Sequence, residues 1–359
     1  MSEWKEPPSM KKESESPLTG RMAEIAMRTV VNMADYESVP SHKARELLPK
    51  SVWRDVLREG CLAILGGESK AKKSWFSLAM AMHVASGREF LGIPIIPGDK
   101  PRRVVVLDFE LLNANIVSRF VALAGAFEGD IAAWRAIWDN VEIRCHRSLL
   151  AEDVPWIEYC AAVVRLCGRG DLMIIDCFQA LPAGDVNDPQ VVRRSLGMLQ
   201  AAATESGACV VVVDHFNKST ESKGKNRLSG SMAKAATPDA ILLLESDGPN
   251  FITFTTELRM DPPRDPMTLE FRSPSEGFRV VGSEEREERK ETAKQNRAAD
   301  RLATLFPEFG RQYTKEELAS NAGKSAKTIG EWLKDFGDVV TLHPGSGRNP
   351  NRYSRNIAA

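Results

Sequence analysis

No Cys-x-x-Cys pair occurs among the six cysteines of this 359-residue chain, which stand singly at Cys61, Cys145, Cys160, Cys167, Cys177 and Cys209. That spacing excludes the common zinc-ribbon and redox motifs and reads as core thiols of a reducing compartment. Net charge is also nearly missing: 48 Lys and Arg oppose 49 Asp and Glu, a formal charge of -1 with a pI near 6.6. No global positive field announces a nucleic-acid partner, so any such contact must come from local patches. No apolar run reaches the roughly 18 residues that span a bilayer, and the start MSEWKEPPSMKKESESP lacks a signal peptide's apolar segment. A cytoplasmic protein without membrane contact is the expectation. The hydrophobic share is not lacking: at 43% it is ample for a large core.

From about residue 50 short apolar strands alternate with amphipathic helices. CLAILGG leads to SWFSLAMAMHVASG, and RRVVVLDFE to NIVSRFVALAGAF. VEIRCH, DVPWIEYCAAVVRLCGRG, DLMIIDCF, VVRRSLGMLQAAATESG and ACVVVVDHF follow, before DAILLLES and FITFTTEL end the series without an intervening helix. The alternation predicts an α/β domain with a mostly parallel sheet covered on both faces and an antiparallel edge. Five stretches are expected: a flexible tail at 1–20, a helical segment at 21–49, the α/β domain at 50–272, a charged linker at 273–296 and a small domain at 297–359. In the last, YTKEELASNAGKSAKTIGEWLKDFGDVVTLHP has the helix, turn, helix, strand outline of a winged helix-turn-helix.

The chemistry concentrates in GGESKAKKS. A strand before it and a helix after it let backbone N–H groups converge on phosphates, as in the glycine-rich P-loop. Gly67, Glu68, Ser69, Lys70, Ala71, Lys72, Lys73, Ser74 and Trp75 form the candidate nucleotide cradle. Lys73 is placed to reach the terminal phosphates, and Ser74 to offer a hydroxyl to Mg2+. Gly67 is expected to make the sharp turn. Lys72 occupies the second glycine's place and is expected to be tolerated with φ negative. Asp176 ends the buried strand LMIID, where a carboxylate suits the Mg2+ shell. Asp108 and Glu110 end VVVLDFE, and either can serve as base or helix cap; Glu110 is the preferred base. His215 follows VVVVD, where it can contact the terminal phosphate or a group that senses it. Lys218, Lys223, Lys225 and Arg227 make a basic Gly- and Ser-rich loop that can grip a phosphate backbone.

Taken together, GGESKAKKSWFSLAMAMHVASG, VVVLDFE, LMIIDCFQAL, VVVDHFNK and RLSGSMAKAATPDAILLLE resemble the RecA-like P-loop ATPases typified by the RepA hexameric replicative helicases of plasmids and phages. The resemblance implies a RecA-like core with ATP and Mg2+ as its ligands, bound through Lys73, Ser74 and Asp176, and with Glu110 activating water. His215 and Lys218 match the family's His-x-x-Lys, Gly230 and Ser231 its next Gly-Ser, and Arg259 the residue that reaches a neighbour's nucleotide. The family often has a second His where Asp214 stands, and Lys-x-Arg where Glu257-Leu258-Arg259 stands. It further implies a homohexamer threading single-stranded DNA, with the basic loop lining the channel, in the replication of a mobile element. Lys324 and Lys327 open the candidate recognition helix, Arg348 and Arg352 follow it, and residues 311–359 hold eight Lys and Arg against five Asp and Glu. This module is expected to bind DNA or a replication partner. An ATP-assembled recombination mediator or switch without unwinding, and a non-hydrolysing initiator or repressor, stay open as alternatives.

Overall fold

The computed structural model describes residues 31, 33, 38–69, 71–182, 184–215, 233–248, 250–308, 310–336, 339–345 and 350–355. Two compact units divide it, Met1–Pro49 and Lys50–Ala359. In the first, the described element is a 3-10 turn at Ser41–Leu47; the helix expected from 21 lies otherwise outside the described residues.

The second unit opens with a small antiparallel ribbon, β1 (Ser51–Trp53) and β2 (Leu57–Arg58). Then come β3 (Leu62–Gly67), α1 (Lys73–Ser86), β4 (Val104–Asp108), α2 (Asn113–Ala124), α3 (Ile131–Asn140), β5 (Val141–Cys145) and α4 (Trp156–Arg165). They are followed by β6 (Leu172–Asp176), α5 (Pro189–Ser206), β7 (Cys209–His215), the single turn α6 (Ala233–Ala236), β8 (Ala240–Ser246), β9 (Phe251–Leu258), β10 (Met267–Glu270) and β11 (Arg279–Val281). Among the described residues nine strands form one sheet in the order β11-β10-β9-β8-β3-β7-β6-β4-β5. From β8 to β5 all neighbours are parallel, whereas β9, β10 and β11 run antiparallel.

The central strands read LAILGG, VVVLD, LMIID and CVVVVDH because both their faces are buried, which removes the polar alternation of a one-sided sheet. Alternate residues serve two layers. Ala63, Leu65, Val211 and Val213 pack toward α1 and the aromatic group Trp53, Phe76, Phe90 and Phe254, while Leu62, Ile64, Val210 and Val212 pack toward α4 and α5. Helix α1 ends at Gly87, whose φ of 68° allows the left-handed cap.

His83, on α1, is wedged between the rings of Phe90 and Phe127, with centroids 4.8 and 5.0 Å away. Burial pushes its pKa down to about 4 from an ordinary 6.5. Above pH 6.5 the imidazole is neutral folded or unfolded; below it the unfolded chain takes the proton and the folded one does not, so stability falls toward pH 4. The expected loss is about 3 kcal/mol. Melting temperatures measured from pH 7 to pH 4 should fall more steeply for the native chain than for His83→Leu, and parallel curves would exclude this cause.

The segment expected as a linker, 273–296, is ordered differently. It contributes β11 to the sheet and then enters the 23-residue helix α7 (Ser283–Leu305). Its Glu, Arg, Lys and Ala content is helix-favouring even without an apolar stripe, and Arg286 pairs with Asp247 at its start. Beyond it, β12 (Tyr313–Thr314), α8 (Lys315–Ala322), α9 (Ala326–Asp335), β13 (Val340–His343) and β14 (Arg352–Arg355) enclose a separate cluster of Leu302, Leu305, Phe306, Leu318, Ile329 and Phe336. Thr314 and Glu317 form a capping box on α8, and Ser325 caps α9. The three strands pair in the order β12-β14-β13.

Candidate functional site

The strand ends at the carboxyl edge of the parallel sheet gather the sequence's acidic and basic candidates. β3 delivers Gly67, β4 Asp108, β6 Asp176 and β7 His215, with Asp108 level with Asp176 and Gly67 level with His215 in the register. This edge is where open α/β sheets hold ligands.

In the glycine-rich loop, Gly67 is the last residue of β3 and makes no left-handed turn. Its missing side chain matters for another reason: a Cβ there would stand 2.7 Å from the Leu244 carbonyl and 3.2 Å from the Lys73 side chain. The left-handed residue is Lys72, with φ 63° and ψ 21°, directly before α1. The expectation of a negative φ is therefore corrected. The loop keeps the backbone path a glycine would take and forces a lysine into it, at a cost of roughly 1–2 kcal/mol. The Lys72 ammonium lies 5.0 Å from the Phe271 ring centre, a cation–π contact that offsets part of this. Lys72→Gly should thus match or exceed the native melting temperature, whereas Lys72→Ala, which keeps the strain and loses the contact, should melt lowest of the three. Equal stability of the Ala and Gly variants would contradict the left-handed assignment.

Lys73 is 6% exposed and spends its three donors locally, on the carbonyls of Gly67 at 3.0 Å and Glu68 at 2.9 Å and on Nδ1 of His215 at 3.0 Å. Burial lowers its pKa, while Asp176, Glu110 and Asp214 pull it back up. An ammonium only donates, so His215 Nδ1 accepts and its proton sits on Nε2. That Nε2 faces Glu110 Oε2 at 3.8 Å. His215 thus stands between the loop lysine and Glu110, and its nearness is the largest influence holding the Glu110 carboxyl below the usual carboxylate range, half-open to solvent. Cys177 lies within 4.8 Å of both, its thiol pushed up to about 12 by burial and by Asp176, so it is a neutral neighbour.

The two acids of VVVLDFE divide their roles. Asp108 is 1% exposed, and its Oδ1 accepts from the backbone N–H groups of Glu110 at 3.0 Å and Leu111 at 2.6 Å. Asp108 therefore ties down the turn ahead of α2, whose N-cap Leu112 receives no side-chain bond, so neither acid is the expected helix cap, and Glu110 is the group that faces the site. Arg147, which no sequence motif marks, donates to the Glu110 carbonyl at 2.7 Å and fixes that turn from β5's side.

Asp176 is 2% exposed, and burial raises its pKa to about 7 against the opposing influence of the Ser74 hydroxyl. Its Oδ1 has no hydrogen-bond partner among the described residues. A hydroxyl beside a buried, unsatisfied carboxylate oxygen is the donor set a hard divalent cation takes, so Ser74 and Asp176 fit Mg2+.

The remaining candidates are dispersed. Glu68 is half-buried, Ser69 exposed and Ala71 buried along the loop; Lys70 lies outside the described residues. The Trp75 ring packs on Phe271 at 5.5 Å and beneath Arg119 at 5.2 Å, so only its backbone N–H is left for phosphate. Arg259 is exposed just past β9 and donates to the Ala236 carbonyl. In the register Leu258 pairs with Ala240, which pairs with Ala63 at the start of β3, while Gly67 is at its end. That separates Arg259 from its own loop by about 16 Å along the strands. Lys324, Lys327 and Arg352 are exposed in the C-terminal cluster, where a groove of about 660 Å3 runs between α9 and the β13–β14 hairpin past Lys315, Lys327 and Lys334. Lys218, Lys223, Lys225, Arg227, Gly230, Ser231 and Arg348 lie outside the described residues.

Residues 33–221, rather more than half of the chain, match the family described as AAA domain, AAA_25. The chain belongs to this AAA family. It is a P-loop ATPase, and the AAA domain's match covers the glycine-rich loop and the strand ends carrying Glu110, Asp176 and His215. Among solved structures it is similar to the ATPase domain of G40P, at 14% identity over 75% of this chain and 100% of that one with a TM-score of 0.49. It is also similar to the RadB recombinase, at 13% identity over 62% and 92% with 0.44. A DnaB-like replicative helicase, solved with regard to its interactions with primase, is 14% identical over 73% and 70% with 0.50. At these identities the likeness is one of fold, the RecA-like ATPase core. No curated protein sequence matches the chain significantly. Among the described residues no helix is long and apolar enough to cross a membrane.

Proposed function

We propose that this AAA-family ATPase is a ring-forming motor that couples ATP hydrolysis to movement on single-stranded DNA, a RepA-like replicative helicase of a mobile element. The observation that carries the reading is the position of Arg259. It is exposed at the end of the sheet opposite its own Lys73, and its loop is pinned by the buried pair Arg58–Asp261, with contacts of 2.7 and 2.8 Å. Such an arginine serves no nucleotide on its own chain. A rear-facing cation and a front-facing phosphate site are complementary in a head-to-tail contact, the kind of interface that closes rings. The fold shared with a DnaB-like replicative helicase supports the same direction.

In this reading Lys73 exchanges its two loop carbonyls for phosphate oxygens, and backbone N–H groups from Glu68 to Trp75 hold the rest. Ser74 and Asp176 hold Mg2+, which neutralises phosphate charge when bound. Glu110, kept ionised by His215, orients and deprotonates the attacking water, and His215 reports the engagement of Lys73 to Glu110. The exposed Lys324 and Lys327 at the start of α9, with Arg352 on the hairpin, give the C-terminal cluster the features of a winged helix that binds DNA or a replication partner.

Lys73→Ala tests the nucleotide dependence of all this. Losing charge-assisted bonds worth about 1.5–3 kcal/mol should weaken ATP binding roughly 10- to 100-fold, and displacement of an annealed DNA strand should cease. Undiminished strand displacement by Lys73→Ala contradicts the motor and favours DNA binding that ignores the nucleotide.

A further inference from the structure

Asp214 and Lys234 are, among the described polar residues, the two with no exposure at all. Neither has been given a contact with the nucleotide-site residues above, although the Asp214 charge acts on Lys73 from beneath. Lys234 Nζ is 2.9 Å from Asp214 Oδ2, at an angle poor for a hydrogen bond, so charge holds the pair together. The same ammonium lies 4.8 Å from the centre of the Phe178 ring.

Their neighbours in sequence give the contact its meaning. Asp214 immediately precedes His215 on β7, and alternation sends it to the opposite face, into the layer of Val212, Leu243 and Phe178. Phe178 follows Asp176 by two residues and opens the 3-10 turn Phe178–Ala180 directly after β6. One lysine on α6 therefore touches the end of the strand that carries His215 and the turn that leaves the strand carrying Asp176. Burial pushes the Asp214 pKa up while Lys234 opposes the rise, and removing two ions from water costs several kcal/mol each before their attraction repays it. An apolar pair of similar volume would hold the layer together as well, so stability alone does not account for two charges there.

We infer that Asp214 and Lys234 are positioning residues of the ATPase, fixing the spacing of the β6 and β7 ends and through it the alignment of Asp176 with the Lys73–His215–Glu110 chain. The inference depends on the ATPase and on no particular role in DNA movement. It also gives a reason for an aspartate at the place where the RepA-like pattern often has histidine: the pair is Asp–Lys here.

The test is a neutral replacement in the full chain, Asp214→Leu with Lys234→Met, read by melting temperature, by the affinity of a fluorescent ATP analogue and by turnover per nucleotide-binding site. The expected result is a melting temperature at or above native and unchanged analogue affinity, with kcat lower by about 10- to 100-fold, the size expected when reacting groups are misplaced by about 1 Å. A merely structural pair would leave kcat per site unmoved, and native turnover in this variant overturns the inference. Should the double variant not fold, Lys234→Arg decides by the same split: it keeps the charge but shifts its position, and is expected to lower kcat at constant KM. Native kcat in folded Lys234→Arg overturns the inference equally.

Discussion

Arg259→Ala should lower ATP turnover by about 10^3- to 10^5-fold, the scale of an arginine supplied from outside the site, while leaving the folding free energy within about 1 kcal/mol of native. The guanidinium is exposed, and its one described contact, to the Ala236 carbonyl, is a surface bond that contributes little to folding. Its effect on rate must then come from a phosphate it cannot reach on its own chain. Mixing gives the sharper result. Subunits with Arg259→Ala and subunits with Glu110→Gln are each inactive alone, but a site with intact Glu110 beside a neighbour with intact Arg259 is complete. Turnover should reappear when the two are combined, rising with the fraction of mixed interfaces. If the mixture stays inactive while each protein assembles normally, Arg259 does not act on a neighbour.

Glu110→Gln should lower kcat by about 10^2- to 10^4-fold with ATP binding retained, the range for removing a positioned general base. The amide keeps the shape and the contact toward His215 but takes no proton. Asp108→Asn provides the contrast: its carboxylate ties down the Glu110 and Leu111 backbone, so the amide, whose oxygen can still accept, should cost stability more than it costs kcat. Single-turnover hydrolysis separates these outcomes from product release. Equal losses of kcat in both variants would mean that the base is not Glu110 alone.

The parallel core and the phosphate loop were legible because their signals are local. A buried strand, glycines, Lys73-Ser74 and an immediate helix lie within some twenty residues, and the carboxylates ending VVVLDFE and LMIID mark neighbouring strands without any long-range information. The antiparallel edge was legible for the opposite reason, an absence of helices between strands. Helix α3, IAAWRAIWDN, carries helical spacing in Ile131, Trp134, Ile137 and Trp138 that is overshadowed by the stronger apolar run before it. Helix α7 has no apolar stripe along its charged first half, so only its propensity could have announced it. What no local pattern could give was pairing across distance. The split of Asp108 from Glu110 depends on a turn two residues long, the left-handed Lys72 has its strain partly offset by Phe271 some two hundred residues on, and the match of Asp214 with Lys234 crosses a stretch of sequence with no periodicity of its own.

The most direct test of the central claim is steady-state ATP hydrolysis by the full chain with and without a single-stranded oligonucleotide, with the mass of the assembly recorded in the same buffer. The account expects ring-sized assemblies in the presence of ATP and turnover that rises severalfold when the strand is added. Turnover by a monomer, unchanged by the strand, would contradict it.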